Sequence, residues 1–229
     1  MKKPFYEITK RGFDIISSLI AIIVLSPVWI ICIIGIKVSS KGPVFYTSTR
    51  AGRNSRPFTM YKFRSMHLFI PQAEGQKSER KFVNNARVFR FGSFIRKAKL
   101  DELPQLLNIL QGQMSVVGPR PILMDRATKD YVGKYSCIAE VKPGLACLDS
   151  LFDYAHGDLF VTDNDEYMRN ILPVRRELAR MYVEKRGIGI DLYCIFRTVK
   201  LILEIAVLKK REFPYTRYEA QAREGLGFN

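Results

Sequence analysis

RKAKLDELPQLLNILQGQMSVVGPRP, residues 96–121, is the stretch on which the reading of this chain turns. Leucines at 100, 103, 106, 107 and 110 recur at helical spacing and predict a helix with one buried face. Pro104 fits only in the first turn of that helix, where its missing N–H would have had no intrahelical acceptor. Asp101 and Glu102 are thereby placed side by side at the helix N-terminus, where the macrodipole favours ionised carboxylates. Backbone N–H groups at a helix start face bound anions, which suits phosphate chemistry with a divalent cation. Arg120, confined between Pro119 and Pro121, closes the stretch. Taken alone, the same residues also read as an acidic helix cap followed by a tight Gly-Pro turn.

The rest of the composition narrows the partner. A chain of 229 residues holds one sizeable domain and an appendage, and its formal net charge is +15. Such a charge points to nucleic acid, anionic lipid headgroups or a multiply phosphorylated substrate. The basic residues are spread along the chain with no recognisable nucleic-acid motif, so membrane and phosphate rank above nucleic acid. Cys32, Cys137, Cys147 and Cys194 show no C-x-x-C spacing and read as reduced packing residues in a cytosolic compartment. With only His67 and His156, a multi-histidine metal site is disfavoured, and a hard metal held by carboxylates fits better.

Upstream, residues 15–36 contain no charge and are long enough to cross a bilayer. Ser26-Pro27 falls at the centre of this run, where proline kinks a helix. Lys2, Lys3, Lys10 and Arg11 precede the run and Lys37 and Lys41 follow it, which favours both ends on the cytoplasmic side. The expectation is a re-entrant helix-turn-helix hairpin broken at Ser26 and Pro27, with a kinked single span as the alternative. No A-x-A-like site closes the run as in a cleaved signal peptide.

Two short strands, over 44–47 and 58–63, are expected next, joined by a turn of Gly, Asn, Ser and Arg. Alternation puts Lys62 and Arg64 on one face and Tyr61 and Phe63 on the other, either as phosphate contacts or as a solvated face. Residues 68–85 read as an exposed loop or lid. Arg87, Arg90, Arg96, Lys97 and Lys99 then carry positive charge up to Asp101, which helps to keep it ionised. A helix is expected over 122–135, a turn at VKPG (141–144), and a solvated acidic loop over 149–166 with Asp153, Asp158, Asp163 and Asp165. That loop lacks the Gly and the later Glu of a calcium-binding EF-hand. Amphipathic helices follow over 166–186 and 191–209. In the second, Leu192, Ile195, Phe196, Val199, Ile202 and Leu203 form an apolar stripe that suits a membrane interface or the core. The basic, aromatic tail over 209–229 reads as peripheral.

These elements predict an α+β protein in three parts. Residues 1–40 form the re-entrant membrane anchor. A compact, mainly helical cytosolic catalytic domain with a short β-hairpin spans 41–188, and an amphipathic helix with a basic tail spans 189–229.

Several blocks, in order, carry a resemblance: Lys10-Arg11 to Asp14, Ser26-Pro27, KGPVF (41–45), YKFRSM (61–66), LDELPQ (100–105) and MSVVGPRP (114–121). Over residues 10–200 the chain resembles the monotopic phosphoglycosyl transferases, the bacterial sugar transferases that act on polyprenyl phosphate. It lacks the additional N-terminal membrane helices of larger members and so resembles the minimal form. The resemblance implies transfer of a sugar 1-phosphate from a nucleotide-diphosphate sugar, usually a UDP-sugar, to a membrane polyprenyl phosphate such as undecaprenyl phosphate. UMP is released, and glycoconjugate synthesis begins. It implies Asp101 as the nucleophile that forms an aspartyl phosphosugar, with Glu102 beside it and both carboxylates available to Mg²⁺. It also implies Arg120 as the phosphate clamp, with Lys62, Arg64, Arg96 and Arg87 as further phosphate or substrate contacts. The implied location is the cytoplasmic face of the bacterial inner membrane, with anionic lipids as partners, no nucleic acid, and a homodimer among the assemblies considered.

The chain departs from the usual family pattern at three places: Ser48 in the first strand, Asn85-Ala86 before Arg87, and Ala146-Cys147 after VKPGL. These bear on donor choice and raise a rival reading, a membrane-bound scaffold of the same fold without activity. A membrane-tethered nucleic-acid binder has only the charge in its favour.

Overall fold

A computed structural model describes residues 4–68, 87–157 and 163–228. The chain opens with two helices, α1 (Pro4–Val24) and α2 (Ser26–Ser39), which meet at 61°. The break falls at Leu25, one residue before the expected Ser26-Pro27. Pro27 therefore lies in the first turn of α2, where no N–H is needed, and the Ser26 hydroxyl donates to the Ile23 carbonyl (2.8 Å). Among the described residues no single helix is long and apolar enough to cross a membrane, whereas this bent pair passes that test together.

The usual burial pattern is inverted in α1. Its buried side chains are Tyr6, Asp14 and Ser18, while Phe5, Ile8, Ile16, Leu19, Ile20 and Ile23 face outward. The buried polar groups tie the hairpin to the rest of the chain. Asp14 accepts from Ser115 Oγ (3.0 Å) and Val116 N (2.9 Å), and Arg11 donates to the carbonyls of Ile109 (2.6 Å) and Leu110 (2.8 Å). Lys10 pairs with Asp191 at 2.6 Å.

β1 (Phe45–Ala51) and β2 (Pro57–Phe63) form an antiparallel hairpin in which Tyr46 opposes Lys62, Ser48 opposes Met60 and Arg50 opposes Phe58. β1 is longer than expected because its end continues the ladder on a second partner: Ala51 N donates to the Ile122 carbonyl at 2.9 Å. Beyond Leu68, the loop expected over 68–85 lies outside the described residues. After α3 (Arg90–Lys97), Lys99 adopts the left-handed conformation (φ 56°, ψ 17°) and turns the chain. The single helix expected over 100–110 is divided. Leu100–Glu102 forms a 3₁₀ turn, and α4 (Gln105–Leu110) begins only after Pro104, which supplies no N–H to continue the turn into the helix.

β3 (Ser115–Val117) runs parallel to β4 (Gly144–Ala146), with α5 (Met124–Asp130) and a 3₁₀ segment, Gly133–Glu140, between them. The helix expected over 122–135 thus ends early, and this second sheet has strands too short to announce themselves by alternation. Its close approach needs glycine: a Cβ on Gly144 would lie 2.2 Å from Gly118 N, and one on Gly118 would lie 2.4 Å from the Lys142 carbonyl.

α6 (Leu148–Phe152) follows and continues into a π turn, Asp153–Gly157. Residues 149–157 therefore depart from the solvated loop of the sequence reading, since Asp149 and Asp153 are buried; Asp158 lies outside the described residues. α7 (Asn164–Glu166) and a π turn, Tyr167–Ile171, lead into α8 (Leu172–Lys185) and α9 (Ile188–Ala206). Ile190, Cys194 and Leu201 of α9 pack inward, while Leu192, Phe196, Val199 and Leu203 remain exposed. α10 (Arg217–Glu224) is fixed by a Thr216–Glu219 capping box and buries Ala222, so the tail is less peripheral than expected. The described residues are mostly helical with two small sheets, an α+β architecture. All four cysteines are free thiols.

Candidate active site

Lys62 reaches the site because its strand face is packed from behind. Phe58 and Met60, on the same face of β2, bury themselves against Leu106, Ile109 and Met114. Asn108 of α4 locks this arrangement, accepting from Tyr61 N (3.1 Å) and donating to the Thr59 carbonyl (2.7 Å) and to Gln113 (2.7 Å). Beyond this packed base, Lys62 Nζ lies 2.8 Å from Glu102 Oε1. Arg120 Nη2 approaches the same oxygen at 3.5 Å and Lys99 Nζ at 4.0 Å. One carboxylate oxygen thus gathers three cations.

Asp101, its neighbour, is 8% exposed. Burial raises the Asp101 carboxyl above its ordinary range and the adjacent Glu102 charge adds to the rise, against the opposing pull of Lys62, Lys99 and Arg96. Burial alone would raise Glu102 too, but Lys62, Lys99 and Arg120 outweigh it and hold that carboxyl well below the usual range. Two adjacent carboxylates are thereby pushed in opposite directions, an arrangement that separates their chemical roles. Glu102 is a fixed anion, and Asp101 is a desolvated carboxylate whose ionised form is reactive.

Arg120 is supported from below by groups that the sequence reading placed in solvent. Its backbone N–H donates to Asp149 Oδ2 (3.3 Å) and its Nε lies 4.0 Å from Asp153 Oδ2. Arg175 of α8 pairs with both acids, at 3.7 Å to Asp149 and 3.3 Å to Asp153. Tyr167 donates to Asp153 Oδ1 (2.7 Å) and its hydroxyl accepts from Arg175.

Two spaces flank the Glu102–Arg120 pair. One is a cavity of about 170 Å³ with largely apolar walls from Leu103, Leu106, Leu145, Leu151, Tyr154 and Ile202. The other is a polar pocket of about 40 Å³ between the hairpin and the Pro121 segment.

The residues singled out in the sequence are distributed unevenly. Lys62, Asp101, Glu102 and Arg120 come together, and Arg96 acts on Asp101 through its charge. Arg64 lies one residue past β2 and leaves the face of Lys62. Buried, it donates to the Pro43 carbonyl (2.6 Å), the Ser40 hydroxyl (2.8 Å) and the Ser40 carbonyl (2.8 Å), fastening the end of α2. Arg87 donates to the His67 carbonyl at 3.3 Å. Arg50, Asn108, Asp149, Asp153 and Arg175 were missed. The alternation that selected Lys62 also selects Arg50 on the paired strand, whereas nothing local distinguishes Arg175 from its neighbour Arg176.

Among the described residues no three His, Cys, Asp or Glu side chains converge as a metal cluster. The donor set nonetheless fits magnesium, which keeps water and substrate phosphate as ligands and takes only one or two carboxylates from protein. Asp101 and Glu102 are the two adjacent carboxylates that would hold it.

A desolvated carboxylate next to a fixed anion and ringed by cations is an arrangement suited to phosphate groups. Residues 5–205 match the bacterial sugar transferase family, and the chain belongs to it. Over 206 residues (89% of this chain) it is 32% identical to an Aeromonas hydrophila protein, UDP-N-acetylgalactosamine-undecaprenyl-phosphate N-acetylgalactosaminephosphotransferase. Over 87% of this chain it is 33% identical to the undecaprenyl-phosphate glucose phosphotransferase of Komagataeibacter xylinus. An exopolysaccharide production protein of Rhizobium leguminosarum bv. phaseoli is 46% identical over 49% of this chain and 56% of its own length. The matched regions span 45% and 37% of the first two relatives, less than half of either.

Proposed function

We propose that this protein transfers a sugar 1-phosphate from a nucleotide-diphosphate sugar, most simply a UDP-sugar, to undecaprenyl phosphate or a similar polyprenyl phosphate. The observation that carries this reading is the opposed pair, Asp101 desolvated and Glu102 held ionised, within reach of Lys62, Lys99 and Arg120. In the first half-reaction an Asp101 carboxylate oxygen attacks the sugar-bearing phosphorus, and the bond to the second phosphate breaks to release UMP. In the second, an oxygen of the lipid phosphate attacks the same phosphorus and returns the carboxylate. Arg120 and Lys62 stabilise charge on the phosphoryl oxygens, and Glu102 holds those cations in place. A magnesium ion held by Asp101 and Glu102 adds charge neutralisation when bound.

A bilayer location is supported by two exposed apolar faces, the outward side of α1–α2 and the stripe Leu192, Phe196, Val199 and Leu203 of α9. In this reading the bent pair is a re-entrant hairpin on the cytoplasmic face of the bacterial inner membrane. A lipid acceptor leaves the bilayer at a cost of about 0.8 kcal/mol per exposed CH₂, so the site must meet it at the headgroup plane.

The test is UMP release from a panel of UDP-sugars by detergent-solubilised protein with Mg²⁺ and polyprenyl phosphate. Release that depends on Asp101, with a phosphosugar adduct on that residue by intact mass, is expected. No release with any donor overturns the proposal. Cysteines placed near Lys3 and Lys41 should label from the same side of the membrane, and labelling from opposite sides replaces the hairpin with a span.

A further inference from the structure

The polar pocket holds a cation that the proposed mechanism has not used. Arg50, Lys62 and Arg120 all line it, with Glu102 as its one carboxylate and Gln105 beside them. Lys62 and Arg120 both pair with Glu102, whereas among the described residues Arg50 forms no ion pair. Its Nε donates to Ser48 Oγ at 3.1 Å, which orients the guanidinium and leaves both Nη groups for other acceptors.

This placement is built into the backbone. Ala51 N bonds to the Ile122 carbonyl, and Arg50 forms an isolated bridge with Leu123, so the end of β1 is fastened beside the segment that carries Arg120 and Pro121. Two guanidinium groups are thus brought into one small pocket. Burial, and then the Arg120 charge, both lower the Arg50 pKa, so an anion between them would relieve the pocket.

The side of the site matters as well. Asp101 lines neither this pocket nor the apolar cavity, while Glu102 and Arg120 line both. The cations that act most on Asp101 are Lys62, Lys99 and Arg96, and Arg50 instead responds to Arg120 and Glu102. In an in-line displacement the leaving oxygen lies opposite the attacking one. Lys62 both lines the pocket and acts on Asp101, whereas Arg50 and Arg120 are not among the cations that act most on Asp101, so these two guanidinium groups are placed for the group that departs.

We propose that Arg50, oriented by Ser48, binds the phosphate that leaves with the nucleoside. This inference rests on the transfer reading above. It assigns Arg50 to the first half-reaction alone, because the leaving phosphate is absent from the second. Ser48 is a positioning residue.

The experiment titrates UMP, by calorimetry, into the full-length solubilised Asp101→Asn protein, which cannot turn over. Arg50→Gln in that background should weaken UMP binding at least tenfold, Arg50→Lys should recover part of the loss, and Ser48→Ala should weaken it about threefold. With Asp101 intact, Arg50→Gln should raise the donor KM or slow adduct formation, yet leave unchanged the rate at which a preformed adduct passes its phosphosugar to polyprenyl phosphate. Unchanged UMP affinity in an Arg50→Gln protein of native melting temperature overturns the proposal, as does equal slowing of both half-reactions. Failure of the wild-type protein to form any Asp101 adduct removes the transfer reading and the leaving-group role together. Arg50-dependent UMP binding in the Asp101→Asn background is read independently of that result.

Discussion

Two pairs of acids lie on either side of Arg120, and they behave differently. Asp149 and Asp153 are enclosed, share Arg175, and are further satisfied by Tyr167 and the Arg120 backbone. Glu102 borders both open spaces and takes the ion pairs of Lys62, Lys99 and Arg120, whereas Asp101 is buried beside it and feels those cations only through their charge. The first pair shares one buried cation and serves as a support, although burial raises the Asp149 carboxyl as well. Unequal partners leave Asp101 as a carboxylate that is costly to ionise, which is the property a nucleophile needs.

The most severe way to break this contrast is Asp101→Asn. UMP release should fall by at least about 10³-fold, equivalent to roughly 4 kcal/mol, while the protein becomes more stable. The sign follows from the raised carboxyl of Asp101. Ionising it in the folded state is unfavourable, so wild type and variant should have similar stability below about pH 4, the range of an unfolded aspartate. The advantage of the variant should grow as pH rises through the raised value and then level off. Urea melts of both proteins at several pH values measure it, and a variant less stable at pH 7 contradicts the assignment.

Asp153→Ala should have the opposite signature. It leaves Arg175 buried with one acid fewer, at a cost of about 3–5 kcal/mol, and loosens Arg120, so melts should show a large loss while the adduct on Asp101 still forms slowly. Lys62→Met comes next. Removing a charge-assisted bond to Glu102 costs about 1.5–3 kcal/mol. It also removes the principal charge that opposes the rise of Asp101, so the acid limb of the pH–rate profile should move to higher pH than in wild type. The ion pairs of Glu102, whose carboxyl is held low, stabilise the fold above its ordinary range near pH 4 and are lost only as pH falls through the depressed value. Tyr167→Phe should come last, at about 1–2 kcal/mol of stability for the two hydrogen bonds of its hydroxyl, to Asp153 and from Arg175, with little change in donor KM.

The same contrast explains what the sequence disclosed. Asp101, Glu102, Lys62 and Arg120 were legible because each lies in a short local pattern: adjacent acids before a leucine repeat, strand alternation, an arginine between prolines. The bend near Ser26-Pro27 and the β-hairpin were legible for the same reason. The Asp149–Asp153–Arg175 support was not. Its members are 22 to 26 residues apart in sequence and acquire meaning only when α6 and α8 pack together, and an acidic run with no visible partner reads as solvent-exposed. Arg64 failed in another way: the strand ends at Phe63, as expected, and the alternation does not carry one residue past it. The 3₁₀ turn under Asp101 depends on the left-handed Lys99, a conformation that lysine does not advertise.

The ties of α1 also set an order of events during synthesis. Lys10 waits for Asp191, 181 residues later, while Arg11 and Asp14 wait for partners about 100 residues downstream. At about 5–20 residues per second the first of these intervals lasts roughly 10–40 s. For the first half of that interval all three polar anchors of the hairpin lack their partners, and Lys10 lacks its partner to the end. On the proposed bilayer location, engagement of the hairpin with a membrane would precede its full attachment to the globular part, and the ribosome would complete the site on a chain already held at the surface.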